Sequence, residues 1–464
     1  MLKADNITYT YPGAEKPAIE NISLELGFGE MLAITGPNGS GKTTLAMVLA
    51  GVIRPDSGMV TLFDSDLFSE KGRALARKKI ALLFQDPQDG ILTTSVEREI
   101  AFGPENLAFS QDKLRGLVGG LLHDFGLTEF RSRPVEELSG GGVERCALAA
   151  AVATDPAIII LDEPDSFLDF SGKRRFWKEI DRLRAAGSAI IHITQSRTIA
   201  EKADKRIILG DNTQHNIALN DNIINTNISS ITSSNNLLSI DNLVFSYDSE
   251  IAVDDVNLKI HAGECVAILG ASGAGKTTLA RLCAGLYKPD SGHIVSNGRV
   301  GISFQFPAKQ LFAETVLGDV AFGPKSLGIG NPEERARNAL LRVGIDESFY
   351  GRSPFELSDG EQRRVGIAGI LATDPSTIIF DEPAATLDRK GRRLFIELVS
   401  RLVAENRAVG IITHDLELVA ACAKRAIVLD NGRLVYDGEM AKIMREKDLR
   451  LSFGLGTDED IFSS

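Results

Sequence analysis

Two stretches of the chain could hold a phosphate. Gly36-Pro37-Asn38-Gly39-Ser40-Gly41-Lys42-Thr43, followed by Thr44, fits G-x-x-x-x-G-K-[ST], and so does Gly270-Ala271-Ser272-Gly273-Ala274-Gly275-Lys276-Thr277, followed by Thr278. Glycines let a backbone curl until successive N–H groups face phosphate oxygens, and the helix that opens behind them adds its positive end. Lys42 and Lys276 then reach the β- and γ-phosphates, and the hydroxyls of Thr43 and Thr277 hold Mg2+. Further along, "AIIILDE" and "TIIFDE" are apolar runs that end in paired acids. Asp162 and Asp381 suit Mg2+, directly or through water, and Glu163 and Glu382 are placed to polarise an attacking water.

These residues need a scaffold that brings distant loops to one edge. Apolar, β-rich runs such as "MLAIT", "AIIILD" and "SAIIHIT" alternate with helical patterns, which predicts α/β domains with mainly parallel sheets. The scaffold occurs twice. "AFGPENL" at 101–107 recurs as "AFGPKSL" at 321–327, and "ATDPAIIILDEP" at 153–164 recurs as "ATDPSTIIFDEP" at 372–383. The phosphate loops, at 36–43 and 270–277, are offset further than these later segments, so the first copy carries an insertion between its loop and its "AFGP" segment. A repeat this long with a full motif set is a duplicated domain. The Asn- and Ser-rich seam divides the chain into an expected domain at 1–220, a flexible linker at 221–236 and a second domain at 237–464.

Composition narrows the class. The 464 residues exceed what one core usually serves, and the net charge of −12 argues against a nucleic-acid partner. Cys146, Cys265, Cys283 and Cys422 are scattered without a CxxC pair, as expected of reduced, buried thiols in a cytosolic protein. No apolar run reaches the roughly 20 residues of a membrane helix, and the N-terminus does not read as a signal peptide.

With these motifs in place, the chain resembles the ATP-binding-cassette (ABC) ATPases over nearly its whole length, twice. "LSGGG" at 138–142 and "LSDGE" at 357–361 look like the signature that separates this family from other phosphate-loop enzymes. Gln85 and Gln305 resemble its Q-loop glutamine, at Mg2+ and the catalytic water. "SFLD" and "ATLD" resemble its D-loop, and Tyr11 and Tyr247 match its adenine-stacking aromatic. The resemblance implies two tandem phosphate-loop domains, each with a mainly parallel sheet core, an antiparallel β subdomain and a helical signature subdomain. It further implies that the cassettes pair head to tail, with ATP between the loop of one and the signature of the other.

Two unlike sites follow from that pairing. The first combines its own loop, Gln85, Asp162, Glu163 and Gln195 with Ser358 and Gly360. The second combines its loop, Gln305, Asp381, Glu382 and His414 with Ser139 and Gly141. Gln195 stands where the family has histidine, and it cannot carry a positive charge. Asp359 stands where the signature usually has glycine, and it weakens the same site. The second site is therefore expected to hydrolyse ATP while the first mainly binds it; the alternative is that Gln195 is tolerated and both sites fire, since Glu163 is retained.

The segments 84–107 and 304–327 look like those of energy-coupling-factor (ECF) importers and related cobalt/nickel uptake ATPases. The "AFGP" element reads locally as a turn that starts a helix. The resemblance implies two partners, an integral membrane scaffold and a small substrate-capturing membrane subunit for a vitamin or transition-metal ion. It puts their docking surface near Gln85–Phe102 and Gln305–Phe322 and the chain at the cytoplasmic face of the membrane. Two rivals are a tandem cassette of another solute importer and a translation-associated tandem ATPase. The "AFGP" segments speak against the first, and the acidic charge and uncharged tether against the second.

Overall fold

The computed structural model describes residues 1–84, 90–138, 140–164, 168–210, 235–248, 250–304, 310–383 and 387–462. They form two compact units. One is Met1–Asn216 together with Asp458–Ser464, and the other is Ile217–Thr457. Most of the expected linker, 221–234, lies outside the described residues, and Asn236 already opens a strand, Asn236–Tyr247.

In the first unit, five parallel strands lie in the order Ile80–Leu83, Ile158–Asp162, Ala189–Ile193, Met31–Thr35 and Lys205–Ile208. The three central strands are nearly continuous in apolar residues for a direct reason, since both of their faces are covered. Ile158 and Ile160 join Leu2, Ile7, Ile34 and Leu45 in one core, while Ile159 and Leu161 join Ile100, Leu122 and Ile180 in another. The first core lies under an antiparallel sheet ordered Ile19–Leu26, Leu2–Tyr9, Ser57–Leu62 and Ser65–Asp66. The second lies under helices Val96–Asn106, Gln111–Asp124, Gly140–Val152 and Phe170–Ala185.

The second unit repeats this plan. Its sheet runs Val300–Ser303, Thr377–Asp381, Ala408–Ile412, Cys265–Leu269 and Arg425–Asp430 in parallel, and Arg433–Glu439 closes the edge antiparallel. The insertion of the first copy forms the short strand Ser65–Asp66 and helix Glu70–Lys79, which Ser69 caps by accepting the Gly72 N–H. All four cysteines are free and buried, and burial pushes the Cys146 thiol up to about 12.

Two expectations need correcting. The "AFGP" residues do not open a helix but lie inside one, Val96–Asn106, with the counterpart inside Val316–Ser326. Their glycine has a packing reason. A Cβ on Gly103 would lie 2.8 Å from the Thr154 methyl, and one on Gly323 2.8 Å from the Thr373 methyl. "AFGP" and "ATDP" therefore recur together because each makes room for the other. The second correction concerns residues 458–462, expected in the second domain. Helix Asp458–Phe462 packs in the first unit, because Ile461 is buried in its core and the Phe462 ring meets Trp177 at 5.2 Å.

Gly103→Ala should destabilise the protein by about 1–3 kcal/mol, seen as a lower urea midpoint. Adding Thr154→Ser, which removes the obstructing methyl, should recover most of that loss.

Candidate functional site

Strand order decides what meets at the carboxyl edge of each parallel sheet, the usual place for ligands in this class of sheet. In the first unit Met31–Thr35 leads into the phosphate loop, Ile158–Asp162 ends at the paired acids, and Ala189–Ile193 ends just before Gln195. The same three strand ends in the second unit deliver the loop at Gly270, Asp381–Glu382 and His414.

The loops are shaped by glycine where the chain has no alternative. Gly41 and Gly275 have φ of 91° and 96°, each immediately before a helix, Lys42–Leu49 and Lys276–Cys283. A Cβ on Gly41 would sit 2.2 Å from the Ala18 carbonyl oxygen, and one on Gly275 2.3 Å from that of Ala252. The lysines fold over the loops. Lys42 donates to the carbonyls of Gly36 and Pro37, both at 3.0 Å, and Lys276 to those of Gly270 and Ala271 at 2.7 and 2.8 Å. The loop also keeps Asn38 within 3.4 Å of Gln195. Tyr11 and Tyr247, both partly exposed, are tied to the opening of the same helices through Thr44 at 3.1 Å and Thr278 at 3.3 Å.

Thr43 donates to Asp162 at 2.6 Å and Thr277 to Asp381 at 2.8 Å. No cluster of three metal-ligating side chains exists among the described residues. One hydroxyl beside one carboxylate suits Mg2+, which binds through few protein oxygens and completes its shell with water and substrate phosphates. Thr43 with Asp162, and Thr277 with Asp381, would hold it there, and it would supply charge neutralisation at the phosphates.

The next residue carries an unusual backbone. Glu163 has φ of 49° and Glu382 of 47°, a left-handed conformation that side chains with a Cβ rarely adopt. The strain is offset by a hydrogen bond from each N–H across the sheet, to Ile193 O at 3.1 Å and Ile412 O at 2.8 Å. This turn directs each carboxyl toward its neighbouring strand end. Burial, and then the neighbouring Asp381 charge, push the Glu382 carboxyl up to about 7. Burial also raises Asp381, with Thr277 and Lys276 opposing it.

The two sites differ in how they hold this glutamate. Glu382 lies 3.5 Å from His414 Nε2 and accepts from Thr413 at 2.9 Å. Glu163 accepts from Gln195 Nε2 at 3.1 Å, and the same amide nitrogen reaches Gly36 O at 3.4 Å. Glutamine thus fills the position sterically with a neutral donor. A further difference escaped the sequence reading. The buried guanidinium of Arg363 donates to the Glu382 carbonyl at 2.6 Å, and the first copy has Glu144 at the matching position. Comparing the copies residue by residue would have flagged it.

The signatures open helices. Ser358 caps Asp359–Ala372, with the Glu361 carboxylate accepting both its N–H and its hydroxyl, and Gly360 sits in the first turn. Gly141 lies in the first turn of Gly140–Val152. Gln85, Gln305 and Ser139 fall outside the described residues, as do parts of both D-loops, 165–167 and 384–386.

Near the expected docking segments, each unit shows an apolar pair, Leu92 with Phe102 and Phe312 with Phe322, all exposed. The rings of Phe312 and Phe322 meet edge-on at 4.7 Å. One carboxylate holds each loop. Glu99 accepts the N–H groups of Leu92 and Thr93 at 3.1 and 2.8 Å, and Asp319 those of Phe312 and Ala313 at 2.8 and 2.9 Å.

Gly275→Ala should abolish nucleotide binding at the second loop, because the new Cβ must displace a backbone carbonyl. Titration with a fluorescent ATP analogue in a Lys42→Ala background would check it.

The family model described as "ABC transporter" matches residues 19–166 and 253–385. A relative from Bifidobacterium longum, named as an ABC transporter ATP-binding protein, is 32% identical over 92% of this chain, which spans 64% of that relative's length. A Bacillus subtilis relative, named for HMP/thiamine import as an ATP-binding protein, is 28% identical over 96% of this chain and 93% of its own. The solved structure of the RNase-L Inhibitor is similar in fold, with a TM-score of 0.67 at 21% identity, over 97% of this chain and 93% of that one.

Proposed function

Because the chain belongs to the ABC transporter family and carries two of its ATP-binding cassettes in one polypeptide, we propose that it binds and hydrolyses ATP as the energising subunit of an ECF-type importer of a vitamin or transition-metal ion. The observation that carries the membrane part of this reading is the exposed apolar pair on each unit, Leu92 with Phe102 and Phe312 with Phe322. Exposed apolar residues that meet, as Phe312 on its carboxylate-held loop meets Phe322 on its helix, mark docking surfaces better than scattered ones do. The sequence of the "AFGP" segments, and a relative named for HMP/thiamine import, support the ECF subclass. No helix among the described residues is long and apolar enough to cross a membrane, so the channel would come from partners, a membrane scaffold and a small substrate-capturing subunit. The chain would act at the cytoplasmic face.

In this reading the domains are 1–220 and 237–457, joined at 221–236, and helix Asp458–Phe462 belongs with the first. Each ATP is held by one loop and completed by the opposite signature, Ser358 and Gly360 for the first site, Ser139 and Gly141 for the second. Lys276 holds the β- and γ-phosphates, and Gln305 helps place the water. Glu382 orients that water and takes its proton, helped by the burial that raises the proton affinity of its carboxylate. His414 and Thr413 fix the Glu382 carboxyl, and Arg363 fixes its backbone. The first site has the same acid, Glu163, but a neutral amide beside it, and it serves chiefly to bind ATP.

Glu382→Gln should therefore lower ATP turnover by about 10²–10⁴-fold, whereas Glu163→Gln should leave most of it, in a coupled-enzyme ATPase assay. Equal losses would refute the division of labour. The transport reading is tested by purifying the tagged chain from native membranes in mild detergent. Two integral membrane proteins at near-equal stoichiometry are expected, and they should be lost from a Phe312→Ser, Phe322→Ser variant that still hydrolyses ATP. Ribosomal proteins in their place would overturn it.

A further inference from the structure

Both cassettes brace the residue that follows Gln195 or His414, but not with the same parts. In the second, Asp415 follows His414. It caps helix Leu416–Cys422 by accepting the Leu418 N–H at 2.9 Å, and it pairs with Arg392 at 2.7 Å. Arg392 belongs to helix Arg389–Ala404, whose own cap is Asp388. One carboxylate thus ties the residue after the histidine to the helix that follows the paired acids.

At the matching positions of the first cassette, Lys173 replaces Arg392 and Ser196 replaces Asp415. The Ser196 hydroxyl caps helix Arg197–Lys202, accepting the Ile199 N–H at 3.4 Å, but it offers Lys173 no charge. A carboxylate is present nonetheless. Asp458 accepts from Lys173 Nζ at 3.0 Å through one oxygen and from the Ser196 hydroxyl at 2.7 Å through the other. It sits in the first turn of helix Asp458–Phe462, which Ile461 anchors in the core and Phe462 anchors against Trp177 and under the Lys202 ammonium at 5.3 Å. Both side chains of the ion pair are about a quarter exposed, 24% and 26%, so the pair is screened less than a surface one.

We propose that Asp458 is a positioning residue for the first ATP site. It supplies, from 262 residues away, the carboxylate that the second cassette carries within its own segment. It acts through Ser196 on the adjoining Gln195, whose amide contacts Glu163 and the phosphate loop. The proposal rests on the reading of that loop as an ATP site.

The test uses the full chain with Lys276→Ala, so that binding of a fluorescent ATP analogue with Mg2+ reports the first site alone. Trp177, the one tryptophan of the chain, reports docking of the helix by its emission. Asp458→Ala should red-shift that emission and weaken analogue binding about tenfold, the size of a lost charge-assisted hydrogen bond. Adding Ser196→Asp returns a carboxylate to Lys173 in the manner of Asp415. It should restore binding while the emission stays shifted. If Asp458→Ala leaves binding unchanged, or if Ser196→Asp fails to restore it, the helix merely packs and Asp458 positions nothing. If the analogue does not bind to the Lys276→Ala protein with Asp458 intact, or if Lys42→Ala does not abolish its binding, the ATP-site reading itself falls and takes the proposal with it.

Discussion

The hydrogen bond from Thr43 to Asp162, repeated from Thr277 to Asp381, joins segments 119 and 104 residues apart. Everything chemical in the molecule depends on that juncture. It sets the first turn of the loop helix against the end of the neighbouring strand but one, and so fixes the distance between phosphate and acid. The parallel strand order makes the juncture possible, and double-sided burial makes the strand order rigid. The strained backbone at Glu163 and Glu382 is tolerated only on such a frame, since an unusual φ persists where its surroundings over-determine it.

Around the paired acids, the two copies differ in polarity rather than in backbone plan. Gln195 for His414, Ser196 for Asp415, Lys173 for Arg392 and Glu144 for Arg363 all alter charge or its placement, while the backbone plan survives. Electrostatic changes of this kind leave a core intact and are large enough to set two sites apart, because charges held away from bulk water are poorly screened and interact strongly. Duplication followed by such drift is a simple route to the proposed division between a hydrolysing and a binding site in a single chain.

Much of the fold was legible beforehand, because the loops, the paired acids and the parallel strands are written as local patterns, each present twice. What was not legible depends on contacts distant in sequence. Nothing around Glu163 or Glu382 announces a left-handed residue, since the cause is a carbonyl on another strand. "AFGP" read as a turn because Gly and Pro normally break helices, and the compensating Thr154 lies past the end of a different helix, Gly140–Val152. Residues 458–462 carry no motif at all, and only contacts distant in sequence, with Trp177, Lys173 and Ser196, assign them to the first unit.

That assignment has a bearing on biosynthesis. A ribosome emits the first cassette well before residue 458, so its strands and helices can collapse early, domain by domain. Yet the ground around Trp177, Ser196 and Lys173 remains uncovered until the second cassette has also been made. The first domain thus waits for residues that are made after nearly all of the second.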